Sequence, residues 1–131
     1  MPEPLKIVAH YNDGRTLRGT TDNFWPTHAC FHLHNGHPQP DVVYLEQLKA
    51  VFIVRNFDGH RGCTELRTQA NQNAVGGRPV RVRFNDGEVI YGAVMELDRH
   101  GIGFFLFPMD PNSNNLRIFV VNRAVTEVNP A

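Results

Sequence analysis

Histidine and cysteine side chains, which can bind metals, transfer protons or act as nucleophiles, are concentrated in one short stretch of the chain. The segment THACFHLHNGH, residues 27–37, holds four of the seven histidines and one of the two cysteines. Successive side chains of a β-strand point to opposite faces, so one face would carry His28, Cys30, His32 and His34. Such a face fits either a metal site or an ordinary strand with a polar outer side, because neutral imidazole and thiolate are good zinc ligands.

A metal site on this strand would use His28, His32 and His34. Residues two apart on a strand lie about 6.5–7 Å apart at the backbone, so two imidazoles can converge on one ion. A third ligand and its supporting partners would have to come from elsewhere. The candidates for it are His10, His37, Asp41 and Cys30. We favour the other interpretation, histidines that are exposed or lie at an interface and titrate near neutral pH, and we expect no cofactor.

Composition limits the classes of protein that the chain can form. Its 131 residues, 41% of them hydrophobic, suffice for one ordinary domain or two very small ones. Thirteen basic and thirteen acidic residues cancel, so there is no overall attraction to nucleic acid or to an anionic membrane. No apolar run reaches the roughly 20 residues of a membrane span, and no secretory signal is evident. We expect a soluble, cytoplasmic protein in which Cys30 and Cys63 are thiols.

The two halves of the chain repeat one pattern. Residues 5–20, LKIVAHYNDGRTLRGT, align with residues 78–93, RPVRVRFNDGEVIYGA, and the Asn-Asp-Gly sequence stands at the same place in both. Further on, a shift of one residue aligns Phe31 with Phe105 and residues 49–51 with residues 123–125. In this second alignment, the His/Cys face corresponds to four apolar or proline residues of the second half. They are Ile102, Phe104, Leu106 and Pro108.

Each half predicts five short strands and no long helix. An Asp-Gly turn follows the first strand, and Gly19 or Gly92 would let the second strand bend sharply. The polar residues 58–78 lack sustained periodicity and predict a linker between units at residues 1–57 and 79–131. The expected fold is all-β, with two tandem, five-stranded, small and strongly bent barrels. The apolar third strand of the second unit, with Ile102, Phe104 and Leu106, is expected to contact the first unit or another chain.

Several segments carry a resemblance to known proteins. VRVRFNDGEVIYGAV, GFFLFPMDPNSNN, RIFVVNRAVTEV and LKAVFIVRNF are similar to SH3-like barrels of the Sm-like type. More narrowly, they resemble an uncharacterised bacterial family found alone or attached to PilZ or response-regulator modules. The resemblance covers most of the chain except the linker and implies the fold, but no activity. Sm-like proteins commonly form RNA-binding rings; here residues 96–101 and the pair Arg123-Ala124 depart from their RNA-binding pattern.

A basic stripe offers a candidate site for nucleic acid or a nucleotide. Arg81 and Arg83 are two apart on one strand, near Arg78, and such a stripe could hold phosphate. A solvated strand face with cross-strand partners such as Glu88 would show the same residues. No nucleophile elbow, phosphate-binding loop, HExxH or CxxC sequence is present, so we expect no enzyme.

The sequence thus favours a non-catalytic interaction, assembly or regulatory module that forms a homo-oligomer or binds another protein. An RNA- or nucleotide-binding ring is the first alternative. A metal-binding protein that uses the segment His28 to His37 is the second.

Overall fold

The computed structural model describes residues 4–57, 77–110 and 112–131. Most of the predicted linker, and Cys63 with it, lies outside the described residues. In the first half, the elements are β1 Leu5–Tyr11, β2 Thr16–Thr21, β3 Cys30–Leu33, β4 Asp41–Tyr44, a 3₁₀ turn Leu45–Gln47 and β5 Leu48–Val54. In the second half, they are β6 Arg78–Phe84, β7 Val89–Val94, β8 Gly103–Leu106, β9 Asn115–Val121, a 3₁₀ turn Asn122–Ala124 and β10 Val125–Pro130. The all-β prediction is confirmed.

The strands form three antiparallel sheets, with the orders β2-β1-β5-β9-β8, β10-β6-β7 and β3-β4. Single backbone bridges, from Thr20 to His34 and from Ala93 to Phe107, connect β2 to β3 and β7 to β8. The largest sheet contains strands from both halves, because β5 pairs with β9. None of the sheets closes into a barrel, so the two separate barrels stay a prediction.

Backbone pairing corrects the alignment of the two halves. The bridge from Thr20 to His34 in the first half is equivalent to the bridge from Ala93 to Phe107 in the second. Equivalent residues of the two bridges are 73 positions apart in the sequence, as they are in the first two strands. In the fourth strand, Asp41 pairs with Leu33 and Ile118 pairs with Leu106, so the equivalent residues there are 77 positions apart. The prediction that one inserted residue separates the alignments of the two halves is therefore wrong. Four extra residues lie between the third and fourth strands of the second half.

Hydrophobic side chains form two cores, and the paired strands β5 and β9 contribute to both. On β9, Phe119 and Val121 belong to the first core, whereas Ile118 and Val120 belong to the second. On β5, Val51 and Ile53 lie in the first core, and Ala50 and Phe52 pack with the second. Alternate side chains of a strand point to opposite faces, so one strand pair closes two cores at once.

Gly19 and Gly92 lie where the second strand of each half approaches the third. A Cβ at Gly19 would lie 2.5 Å from the carbonyl oxygen of His34, and one at Gly92 would lie 2.7 Å from that of Phe107. Both contacts are with backbone, which cannot rotate away. Glycine at these two positions is therefore required for the bridges that turn each half around its core.

Replacing Gly92→Ala should lower the free energy of unfolding by about 1–3 kcal/mol, because the new methyl group forces backbone apart in a packed region. Urea denaturation measures the change. Thr16→Ala, at an exposed position of β2, is the control and should change stability by less than about 0.5 kcal/mol. Equal stability of the two variants would contradict the steric argument.

Lys49 on β5 connects the halves electrostatically. Its ammonium group donates hydrogen bonds to Asp86, at 2.7 Å, and to Glu88, and it lies 4.7 Å from the ring centroid of Phe84. Burial opposes the charged form of Lys49, but the hydrogen bonds to the carboxylates outweigh burial and raise the pKa of Lys49. The hydrogen bond from Lys49 lowers the pKa of Asp86. Each change in pKa means that the folded state favours the charged cluster.

Replacing Lys49→Met should lower the free energy of unfolding by about 1–2 kcal/mol near neutral pH. A carboxyl group with a lowered pKa stabilises the fold above its unfolded-state pKa, and this stability is lost as the pH falls through the lower, folded-state pKa. The difference between the parent protein and the variant should therefore be constant from pH 5 to 9 and shrink below about pH 4. Denaturation at pH 7 and pH 3 measures it; a difference that grows in acid would contradict the assignment.

Candidate functional site

The outer face of the hairpin β3–β4 is open among the described residues and carries two exposed apolar side chains. Cys30 lies opposite Tyr44 and His32 lies opposite Val42, and directly opposed side chains share a face. Val42 is 47% exposed and Tyr44 46% exposed, on an edge strand whose outer side pairs with none of the described residues. We call this face, Cys30, His32, Val42 and Tyr44, the β3–β4 surface.

The equivalent face of the second half is covered. Phe119 and Val121 occupy the places of Val42 and Tyr44, and each is only 1% exposed. The ring of Phe119 packs against Phe24 of the first half, with centroids 5.6 Å apart. One chain thus contains the same strand surface twice, once buried against a neighbouring half and once open.

The predicted interface residues lie elsewhere. Phe104 is 3% exposed and Leu106 is fully buried, and both belong to the second core. Ile102 is half-buried and packs against the first core. In the alignment given by the backbone pairing, Phe105 and Phe107 are equivalent to His32 and His34 and lie on the outer face. The alignment predicted from the sequence differs from it by one residue. Phe104 and Leu106 therefore face the core rather than a partner, since a shift of one residue exchanges the two faces of a strand. Ile102 contacts the first half, which is one of the two contacts expected for this strand.

The candidate metal ligands His28, His32 and His34 are all exposed. His28 lies against Trp25, with ring centroids 6.3 Å apart, and the backbone of His34 forms the bridge to Thr20. Within residues 4–57, 77–110 and 112–131, no three His, Cys, Asp or Glu side chains are grouped closely enough to hold a metal ion.

Asn23 orients the ring of His32. The side-chain oxygen of Asn23 accepts the backbone N–H of His32 at 2.9 Å, which directs the Asn23 amide nitrogen towards His32 Nδ1 at 2.8 Å. An amide nitrogen only donates, so Nδ1 accepts and the neutral ring carries its proton on Nε2. A metal bound through Nε2 would need the opposite tautomer, with Nδ1 as the donor. The contact explains the position of His32 as a local brace between the loop before β3 and the strand.

The three candidate arginines for nucleic acid lie on β6. Arg83 forms an ion pair with Glu127 of β10 at 3.6 Å, and Arg81 lies opposite Asn129 and Tyr91. Arg78 is exposed and, by alternation, points to the other face. The structure therefore brings together Arg81 and Arg83 but separates Arg78 from them.

Several concave regions of the described residues lie along the seam between the halves, and two of them are lined mainly by apolar side chains. One, of about 690 Å³, is bordered by Tyr44, Leu45 and Ile102, with Arg123 and Glu46 paired at its rim at 3.4 Å. The other, of about 360 Å³, lies between Pro26 and the outer face of β8. Sequence reasoning found neither, because each is formed by segments about 70 residues apart whose approach depends on the pairing of β5 with β9.

Comparison with known proteins gives a family but no activity. Residues 3–130 match a family of unknown function, DUF6982. The chain belongs to DUF6982. No curated protein and no solved structure matches it. In this DUF6982 chain, no helix of the described residues is long and apolar enough to cross a membrane.

The candidate surface of this DUF6982 chain is only partly predictable from its sequence. The polar side of the third strand was recognised, but Val42, Tyr44 and the exposed Trp25 were not singled out. The available signal is the short, mostly apolar sequence of β4, Asp-Val-Val-Tyr. A run this short does not distinguish an edge strand from a buried one.

Replacing Asn23→Asp should change the tautomer of His32, because a carboxylate can only accept a hydrogen bond at Nδ1. Long-range ¹H–¹⁵N spectra at pH 8 should show a proton on Nε2 in the parent protein and on Nδ1 in the variant. The exposed ring of His37 is the internal control and should give the same signals in both. A proton on Nδ1 of His32 in the parent protein would contradict the assignment.

Proposed function

We propose that this protein is a non-catalytic assembly module of the bacterial cytoplasm, which associates with further copies of itself through the outer edges of β4 and β10. One observation carries the proposal: the last strand of the first half, β5, pairs inside the chain with the fourth strand of the second half, β9. The equivalent last strand of the second half is β10, and the equivalent fourth strand of the first half is β4. Among the described residues, no strand pairs with the outer edge of either.

The internal junction specifies a register for the proposed one. Phe52 pairs with Ile118, and Val51 pairs with Phe119. At the 77-residue equivalence, Asn129 of one chain would lie opposite Asp41 of the next, and Val128 would lie opposite Val42. Val42 and Tyr44 would then be buried as Phe119 and Val121 are. Burial of apolar surface stabilises such a contact by about 25 cal/mol per Å².

The proposed junction is more polar than the internal one. Glu127 and Asn129 stand where β5 has Ala50 and Phe52, so fewer apolar atoms would be buried. Pro130 lacks an N–H group, and alternation places this missing donor on the outer edge, since the N–H of Ala131 donates to Pro79 on the inner side. We therefore expect reversible, concentration-dependent association rather than a permanent complex.

We infer that each half is a small SH3-like barrel of the Sm-like type. In the first half, hydrogen-bonded pairs and one bridge connect the strands in the order β5, β1, β2, β3, β4; in the second, the order is β10, β6, β7, β8, β9. A glycine at the bend and a 3₁₀ turn between the fourth and fifth strands occur in both. Head-to-tail addition of such units generates a ring if the rotation closes and a filament if it does not.

Two variants distinguish the contributions of the β4 edge and the β10 edge to association. Val42→Asp places a charge on the β3–β4 surface, and Val128→Pro removes an N–H from the outer edge of β10. Each variant alone should have the mass of one 14.9 kDa chain in analytical ultracentrifugation, whereas the parent protein should form larger species. A mixture of the two should form pairs and nothing larger, because the intact β10 of one binds the intact β4 of the other.

The other outcomes decide between alternatives. If Val128→Pro alone assembles as the parent protein does, two β4 strands pair with each other and the head-to-tail arrangement is wrong. A parent protein that stays a single chain at 100 µM would overturn the proposed function. Leu116→Lys, at another exposed apolar position, is the control and should assemble normally. Metal and nucleic-acid content of the same samples test the two alternatives inferred from the sequence.

A further inference from the structure

The smaller concave region of the seam combines aromatic rings with carboxylates. Its floor includes Phe105 and Phe107 of the second half, both half-buried, and its wall includes Pro26 of the first half. Its lining also includes the carboxylates Glu96 and Asp98. At about 360 Å³, it is within the range of small-molecule sites.

A positively charged side chain already contacts one of these aromatic rings. The guanidinium carbon of Arg117 lies 5.2 Å from the ring centroid of Phe105, whose ring also packs against Phe119 with centroids 5.2 Å apart. The face of an aromatic ring carries negative charge density, which attracts cations within about 6 Å. Rings that remain partly exposed in the crevice offer the same attraction to a ligand.

The lining has two exposed carboxylates, Glu96 and Asp98, while the guanidinium of Arg117 contacts its Phe105 ring. Of the described residues that line the crevice, none is basic, and Glu96 forms no ion pair with another described residue. Asp98 accepts the backbone N–H groups of His100, at 2.9 Å, and Gly101, at 3.0 Å. These hydrogen bonds lower the pKa of Asp98, so its carboxylate is charged at neutral pH.

We propose that this crevice binds a small alkylammonium ion, which lies between the phenylalanine rings and the carboxylates of Glu96 and Asp98. A methylated ammonium group suits both sides, because its methyl groups pack on the rings while its charge faces the carboxylates. A neutral ligand would gain only the apolar contact, and an anion would be repelled. This site goes beyond the proposed assembly function and uses neither the β4 edge nor the β10 edge.

Choline and 3,3-dimethylbutan-1-ol provide the test. The two molecules have the same shape, but a neutral carbon in the alcohol replaces the charged nitrogen of choline. Trp25 is the single tryptophan of the chain and precedes Pro26 in the crevice wall, so its fluorescence can report binding. Choline should bind about fivefold more tightly than the alcohol or better, and added salt should weaken only choline.

Two substitutions and one control assign the binding to the crevice. Glu96→Gln should weaken choline binding about threefold, because it removes one carboxylate charge. The affinity for the alcohol should not change, because Glu96 is exposed and its replacement does not affect the core. Phe107→Leu should also weaken choline binding, because it removes a ring and retains apolar volume. Glu46→Gln, which removes an exposed carboxylate outside the crevice, should have no effect. Equal affinity for choline and the alcohol, no binding of either, or an unchanged affinity in Glu96→Gln would overturn the proposal.

Discussion

The antiparallel pairing of β5 with β9 is the interaction on which the rest of the structure depends. Alternate side chains of these two strands enter the two hydrophobic cores, so neither half completes its core without the other. The pairing also sets the seam along which both concave regions form, and it brings Lys49 to the carboxylates of the β6–β7 turn. A five-stranded sheet shared by both halves is therefore the frame of the molecule.

That pairing leaves the equivalent edge strands, β4 and β10, without a partner on their outer edges among the described residues. Inside the chain, β9 is covered on its outer face, and its counterpart β4 displays Val42 and Tyr44 to solvent. Unpaired strand edges are templates for association, and proteins commonly blunt them with proline and charge. Here β10 carries Pro130 and Glu127, whereas β4 has exposed apolar residues on a short strand. Because of this difference between the two edges, the proposed assembly would be weaker than the internal junction.

The histidine-rich strand shows how local hydrogen bonding decides the chemistry of a residue. His32 lies on the open face, but its ring is held by Asn23 in the tautomer that leaves no lone pair on Nε2 for a metal. In the second half, phenylalanine stands at the equivalent position and lies in the seam. Imidazole on the open face and an aromatic ring on the covered face are consistent with the different exposure of the two surfaces, because a polar ring is better tolerated beside water.

The sequence by itself determined that the chain is all-β and that two halves share one pattern. These features follow from local rules: side-chain alternation marks strands, and Asp-Gly marks the first turn of each half. Only the tertiary structure decided that Phe104 and Leu106 of β8 face inward, because a shift of one residue in the alignment of the two halves exchanges the faces of the strand. The β3–β4 surface and the seam crevice likewise depend on β5 meeting β9, a contact between strands more than 60 residues apart that no local pattern specifies.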